Sequence, residues 1–210
     1  MRLLVTAGPT IEKIDPVRYI SNFSSGKMGY AIAEAGLEMK LEVTLISGPV
    51  AISVPQGVKL IKVESAADMA AETKKAFPYA DITIMAAAVA DYRPLAMADQ
   101  KIKKDSGKLV IELEKTEDIL AGLGRMKRPG QLLVGFAAET EKLVEHAKSK
   151  LEHKNLDWIA ANDVSGMATG FGSDLNAVTL ISRDGKVLDI PAAPKLEVAR
   201  TILKEILYPA

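Results

Sequence analysis

DITIMAAAVA, residues 81–90, is an almost unbroken apolar run. A short run without polar alternation fits a strand buried on both faces, as in a parallel sheet covered by helices. The flanking sequence agrees. LLVTAG (3–8), EVTLISG (42–48), KLIKVES (59–65), QLLVGFAAE (131–139) and LDWIAAND (156–163) predict further strands. Helical patterns fall between them over 26–40, 66–76, 116–126 with Thr116 as cap, and 141–153. KLVIELEK (108–115) alternates and predicts a strand with one solvated face. NAVTLISRDGKVLDIP (176–191) predicts a hairpin turning at Asp184-Gly185, and 194–207 a closing helix with Pro194 near its start. This alternation predicts an α/β fold over residues 1–210: a Rossmann-like three-layer domain with a mostly parallel sheet and a C-terminal antiparallel hairpin. Two long loops, 9–25 and 91–107, leave the carboxyl ends of strands, where ligands of such folds sit.

Composition narrows the chemistry. Lys+Arg and Asp+Glu both count 27, so net charge gives no electrostatic case for nucleic acid or an anionic membrane. Cysteine is absent, which excludes disulfides, a thiol nucleophile and cysteine-ligated zinc. The two histidines, His146 and His153, share one polar stretch, so triad hydrolysis has little to work with. The apolar opening after Met1-Arg2 is too short for a signal-peptide core, and no run reaches spanning length. A cytoplasmic enzyme or binding protein is expected.

SNFSSGKMGYA (21–31) carries the Gly-Lys pair that closes a phosphate-binding P-loop. A P-loop needs Ser or Thr next and a Gly five residues before Gly26; Met28 and Ser21 stand there. The dinucleotide fingerprint GxGxxG is missing too, and the second strand ends Ser47-Gly48-Pro49, without an acid for a ribose. No Tyr has Lys four residues on, as a short-chain dehydrogenase requires. What remains is a helix start capped by Ser24 or Ser25. Gly26 allows close approach, and free N–H groups with Lys27 favour an anion. A capped helix packed through Gly29 explains the same residues. Upstream, Arg18 offers a fork for phosphate or carboxylate, and Asn22 a donor for an oxyanion.

Three further clusters point to a nucleotide. In AAAVADYRP (86–94) small residues admit a planar ring, and Asp91 is a hydrogen-bond acceptor for ribose or base. KIKK (101–104) gathers Lys101, Lys103 and Lys104, as charge building on a leaving pyrophosphate requires. In GFAAET (135–140), Phe136 is either core or stacking platform, and Lys150 and Lys154 downstream share one helix face. Each cluster alone also reads as ordinary structure.

TAGPTIEKIDPVRYISNFSSGKMG (6–29), AAAVADYRP, KIKK, GFAAET and KNLDWIAANDV (154–164) occur in one order over nearly the whole chain. Together they closely resemble the phosphopantothenate–cysteine ligases of coenzyme A biosynthesis. In many bacteria these form one half of a bifunctional protein whose other half is a flavin-dependent decarboxylase. The resemblance implies that the carboxylate of 4′-phosphopantothenate attacks the α-phosphorus of a nucleoside triphosphate. The amine of L-cysteine then displaces the nucleoside monophosphate. KIKK resembles the CTP-using branch. The resemblance further implies roles for single residues. Asn22 donates to the acyl oxygen, and Lys101 stabilises charge during acyl-nucleotidylate formation. Met85, Ala86, Ala87, Asp91, Glu117, Asp118, Ile119, Leu120, Phe136, Lys150 and Lys154 hold the cytidine nucleotide. Ser24, Ser25, Gly26 and Lys27 face phosphates, and Arg18 and Ala88 contact phosphopantothenate. Glu117 stands where the family usually has proline. Mg²⁺ is expected on the triphosphate, held by phosphates and water rather than by protein ligands. A homodimer is expected, with the KIKK loop reaching toward the partner's site and strand 108–115 as a candidate interface. The competing readings are an NAD(P)-dependent oxidoreductase and a non-catalytic nucleotide-binding module.

Overall fold

A computed structural model of the protein describes residues 1–103, 107–139, 143–163 and 172–209. In chain order its elements are β1 (Arg2–Ala7), β2 (Ile11–Lys13), β3 (Tyr19–Ser21), α1 (Lys27–Glu38), β4 (Glu42–Ser47), β5 (Lys59–Lys62), α2 (Ala66–Ala76), β6 (Ile82–Met85), β7 (Tyr92–Pro94), β8 (Leu113–Lys115), α3 (Ile119–Met126), β9 (Leu132–Glu139), α4 (Leu143–His153), β10 (Trp158–Asp163), β11 (Leu175–Ser182), β12 (Val187–Pro194) and α5 (Lys195–Leu207).

Eight strands form one sheet in the order β12-β11-β10-β9-β6-β1-β4-β5. From β10 to β5 all neighbours are parallel; β11 and β12 add antiparallel strands at one edge. The strand order reverses at β1, leaving a crevice between β1 and β6. Both sheet faces are covered, which is why the central strands read as continuous apolar runs. On one face Val5, Ile84, Val134 and Ala160 pack with α1 and α5; on the other Leu4, Leu133 and Ile159 pack with α2, α3 and α4. Arg200 on α5 forks onto Glu38 at the end of α1, with Nε and Nη2 each donating at 2.7 Å. That pairing lowers the Glu38 carboxyl from its ordinary pKa.

The run 81–90 is strand only over Ile82–Met85. Ala86–Ala90 leaves the ladder and follows Thr6–Thr10 instead: Ala88 N donates to Gly8 O at 2.9 Å, and Ala90 N to Thr10 Oγ1 at 3.0 Å. Small side chains permit that close track. Of 108–115 only Leu113–Lys115 pairs, with β7. The expected cap at Thr116 is replaced by Asp118, whose Oδ1 accepts from Ala121 N at 3.0 Å; Thr116 Oγ1 donates to Ala90 O at 2.6 Å. Loop 9–25 contains the small β2–β3 ladder. Lys104, Thr140, His146's side chain and the start of the predicted helix 141–153 lie outside the described residues.

α1 packs against β1 through Gly29. A Cβ there would lie 2.5 Å from Ala7 Cβ and 3.0 Å from Thr6 O. Gly29→Ala is therefore expected to cost ~1–3 kcal/mol through overpacking. The check is a lower urea midpoint at unchanged slope.

Candidate nucleotide site

One cleft of about 800 Å³ opens at the carboxyl edge of the sheet. It spans the β1/β6 crevice and runs past β9 and β10, with the start of α1 on one side and α3 and α4 on the other. That is the place topology assigns to a ligand.

Ser24 to Gly29 line one end. The expected serine cap is absent: Gly26 holds the N-cap position at φ 78°, with no side-chain cap bond. Ser24 Oγ accepts from Gly26 N at 3.3 Å. The left-handed backbone suits glycine, and a Cβ there would press on Val50 Cγ1 at 2.8 Å. The first intrahelical bond is Tyr30 N to Gly26 O, so the N–H groups of Lys27, Met28 and Gly29 have no helical acceptor. These groups and the helix dipole favour an anion in the cleft. Lys27 Nζ reaches Asp174 Oδ1 at 2.6 Å and Gly172 O at 3.0 Å. This contact lowers the Asp174 carboxyl from its ordinary value. Lys195, the first residue of α5, lines the same end; burial pushes its ammonium pKa down, and neighbouring Lys27 adds to the effect.

The other end has a different character. Met85, Ala86, Ala87, Ala88 and Asp91 form one wall, and Glu117, Asp118, Ile119 and Leu120 another, with Phe136, Lys150 and Lys154 between them. Small side chains leave a flat surface and Phe136 an aromatic one. Glu117 pairs with Lys74 at 2.6 Å and Asp118 with Lys154 at 2.9 Å. Burial alone would raise the Asp118 carboxyl, but the Ala121 N–H and the Lys154 ammonium outweigh it and hold the pKa below its ordinary value. Among the described residues no group of three His, Cys, Asp or Glu converges as a metal site would require.

Asn22, Arg18 and Lys101, which the resemblance gives single roles, stand off the cleft wall, and so does Lys103. Asn22 is exposed and donates through Nδ2 to Ala88 O at 3.0 Å, so it abuts the strip that forms the wall. Arg18 holds a carboxylate of its own chain: its Nε donates to Asp15 Oδ2 at 2.9 Å and its Nη2 to the same oxygen. The Asp15 side chain is fully buried. It also accepts from the N–H groups of Val17 and Arg18 at 2.8 Å and of Ile102 at 3.2 Å. Arg18 Nη2 closes the clasp by donating to Ile102 O at 2.9 Å. The Arg18 side-chain hydrogen bond and the backbone N–H groups hold the Asp15 carboxyl far below the usual carboxylate range, against the opposing effect of burial. Lys101, exposed beside Ile102, is thus carried on a clasped loop but does not line the cleft. Conversely, Met28, Asn176 and Lys195, which were not singled out, line it together with Asn162. Asn162 sits at a polar strand tip visible in sequence; Asn176 gave no local signal.

Residues 1–208 match the family described as DNA/pantothenate metabolism flavoprotein C-terminal domain. A prokaryotic protein named cysteine/cysteine sulfinic acid decarboxylase is 49% identical over 207 residues, covering 98% of this chain and 58% of its own length. The coenzyme A biosynthesis bifunctional protein CoaBC of Bacillus subtilis (strain 168) is 48% identical over 205 residues, covering 97% of this chain and 50% of its own length. The crystal structure of the C-terminal domain of a coenzyme A biosynthesis bifunctional protein CoaBC aligns with a TM-score of 0.84 at 49% identity, over 98% of this chain and 93% of that one. The chain spans about half the length of the curated relatives it matches. No helix among the described residues is long and apolar enough to cross a membrane. The chain belongs to the DNA/pantothenate metabolism flavoprotein C-terminal domain family.

Proposed function

We propose that this chain is a phosphopantothenate–cysteine ligase that uses CTP and acts in the cytoplasm. The observation that carries the reading is the two-ended cleft at the β1/β6 crevice: an uncapped helix start at one end, a flat small-residue wall with Phe136 at the other. The cytidine lies against Met85, Ala86, Ala87 and Asp91, bounded by Glu117 to Leu120 and Phe136, with Lys150 and Lys154 toward its phosphates. The triphosphate runs to the free N–H groups of α1 and to Lys27. The phosphopantothenate carboxylate attacks the α-phosphorus. The bond to pyrophosphate breaks, and that leaving group carries its electron pair away under the stabilisation of fixed cations and amides. The amine of L-cysteine then attacks the acyl carbon, CMP departs, and the amine proton passes to solvent. Asn22 donates to the acyl oxygen beside Ala88, and Arg18 with Ala88 borders the phosphopantothenate. Magnesium arrives with the triphosphate as part of the substrate.

A homodimer completes the site in this reading. Exposed Val17, Tyr19 and Phe23, with Tyr92 and Leu113 of the β7–β8 ladder, supply the apolar contact. Such contact places Lys101 at a neighbour's cleft. The product passes to a flavin-dependent decarboxylase, joined to this chain or separate.

Pyrophosphate release, measured with phosphopantothenate, L-cysteine and either CTP or ATP, tests the reading. Release with CTP that requires phosphopantothenate is expected. Thermal stabilisation by NADPH with no such release would replace the ligase with an oxidoreductase. Carbon dioxide evolved from cysteine sulfinic acid would favour the chemistry named for one relative.

A further inference from the structure

Asn162 and Asn176 line the cleft from the neighbouring strands β10 and β11, Asn176 against Met28 at the start of α1, and phosphate binding does not explain them. Asn176 is only 2% exposed. Its Nδ2 donates to Met28 Sδ at 3.4 Å, which leaves Oδ1 turned from the sulfur. That oxygen has no hydrogen-bond partner among the described residues, and neither has the buried Oδ1 of Asn162. Buried acceptors without donors are costly and uncommon in native proteins. Among the described residues that line the cleft, the groups gathered at the start of α1 are donors, Lys27, Lys195 and the helix N–H groups, and the nearby acceptors Asp174 and Gly172 O are already taken by Lys27. A pocket wall serving phosphate alone needs donors throughout, because a carbonyl oxygen repels a phosphate oxygen. Two acceptors among cations fit a ligand that carries N–H groups and a carboxylate together, an α-amino acid.

We propose that the amide oxygens of Asn162 and Asn176 hold the amine of the amino-acid co-substrate, while Lys195 takes its carboxylate. This deepens the ligase reading and rests on it; that reading assigns no residue to cysteine. A neutral amine has two N–H bonds and one lone pair. Two acceptors engage the N–H bonds and leave the lone pair to meet the acyl carbon. Lys195 Nζ donates to Leu175 O at 3.1 Å and to Ser173 O, which fixes it beside Asn176 and leaves a third proton for the carboxylate.

The test uses the full chain with phosphopantothenate, CTP and varied L-cysteine. Asn176→Leu and Asn162→Leu remove the amides at similar volume. Each is expected to raise the KM for cysteine ~10-fold while the KM for CTP moves less than ~2-fold. Asn176→Asp, which keeps an acceptor, is expected to recover part of the loss. Cysteamine, which lacks the carboxylate, supplies an independent readout: wild type is expected to prefer L-cysteine strongly, and Lys195→Gln to erase most of that preference. If the amide variants fail to fold, the cysteamine comparison alone decides. Unchanged cysteine KM together with an unchanged preference would overturn the assignment. So would loss of cysteine-independent pyrophosphate release with a shifted magnesium requirement, which would give the amides to a hydrated cation on the triphosphate. Wild type that releases no pyrophosphate from CTP instead sinks the ligase reading itself.

Discussion

Lys101→Gln is expected to lower phosphopantothenate-dependent pyrophosphate release by ~10²–10³-fold, the usual cost of removing a fixed charge stabiliser. Lys101 is exposed and makes no hydrogen bond or ion pair among the described residues. The fold therefore gains little from it, and the variant is expected to melt with wild type. A large kinetic effect without a thermal one isolates chemistry from stability. Lys101→Arg retains the charge but changes its reach, so partial activity is expected there. If Lys101→Gln releases pyrophosphate at the wild-type rate, the leaving group is stabilised without Lys101, from α1 and the lysines that line the cleft.

Asp15→Asn is expected to be nearly as severe, by a different route. Asp15 places both oxygens among donors: three backbone N–H groups and the Arg18 fork. An amide in its place turns an NH₂ toward donors and loses the charge that Arg18 requires. The clasp then releases Ile102, and with it the segment bearing Lys101. Misplacing a catalytic group by about 1 Å costs ~100-fold, which is the expected fall in kcat/KM. The pH dependence follows from the sign of the shift. The folded-state carboxyl lies below its unfolded value, so its stabilisation is complete above about pH 4–5 and fades as pH falls further. The stability gap between wild type and Asp15→Asn is expected to be widest near neutrality and to narrow in acid, as followed by denaturant melts across pH. Equal gaps at all pH values would show that the charge is not what closes the clasp.

Much of this architecture is written locally. The apolar runs that form β1, β4, β6, β9 and β10 are continuous because both faces are covered, and the Asp184-Gly185 turn announces the final hairpin, with Gly185 at φ 94°. The strip Ala86–Ala90 misled because a wall of small residues around a ligand has the same composition as a buried strand. Residues 108–112 misled because alternation describes a pleat but does not provide a ladder partner. Within the cleft, the residues of the flat small-residue wall lie near strand tips and helix starts, where short motifs expose them. Asn176 and Lys195 come from the antiparallel edge and α5, and only tertiary packing brings them beside α1. Arg18 reads in sequence as a free anion-binding fork; that Asp15, three residues earlier, already fills it depends on a tight turn that the dipeptide pattern does not reveal.

The Glu38–Arg200 fork joins positions 162 residues apart, and it sits where α1 and α5 share their core. Contacts so distant along the chain close late, because the entropy of a long loop is lost before any reward arrives. The helix whose free end serves the cleft is thus expected to reach its final seat only near the end of refolding. Recovery of ligand binding should lag behind recovery of helical signal, and the intervening species should expose apolar surface prone to self-association.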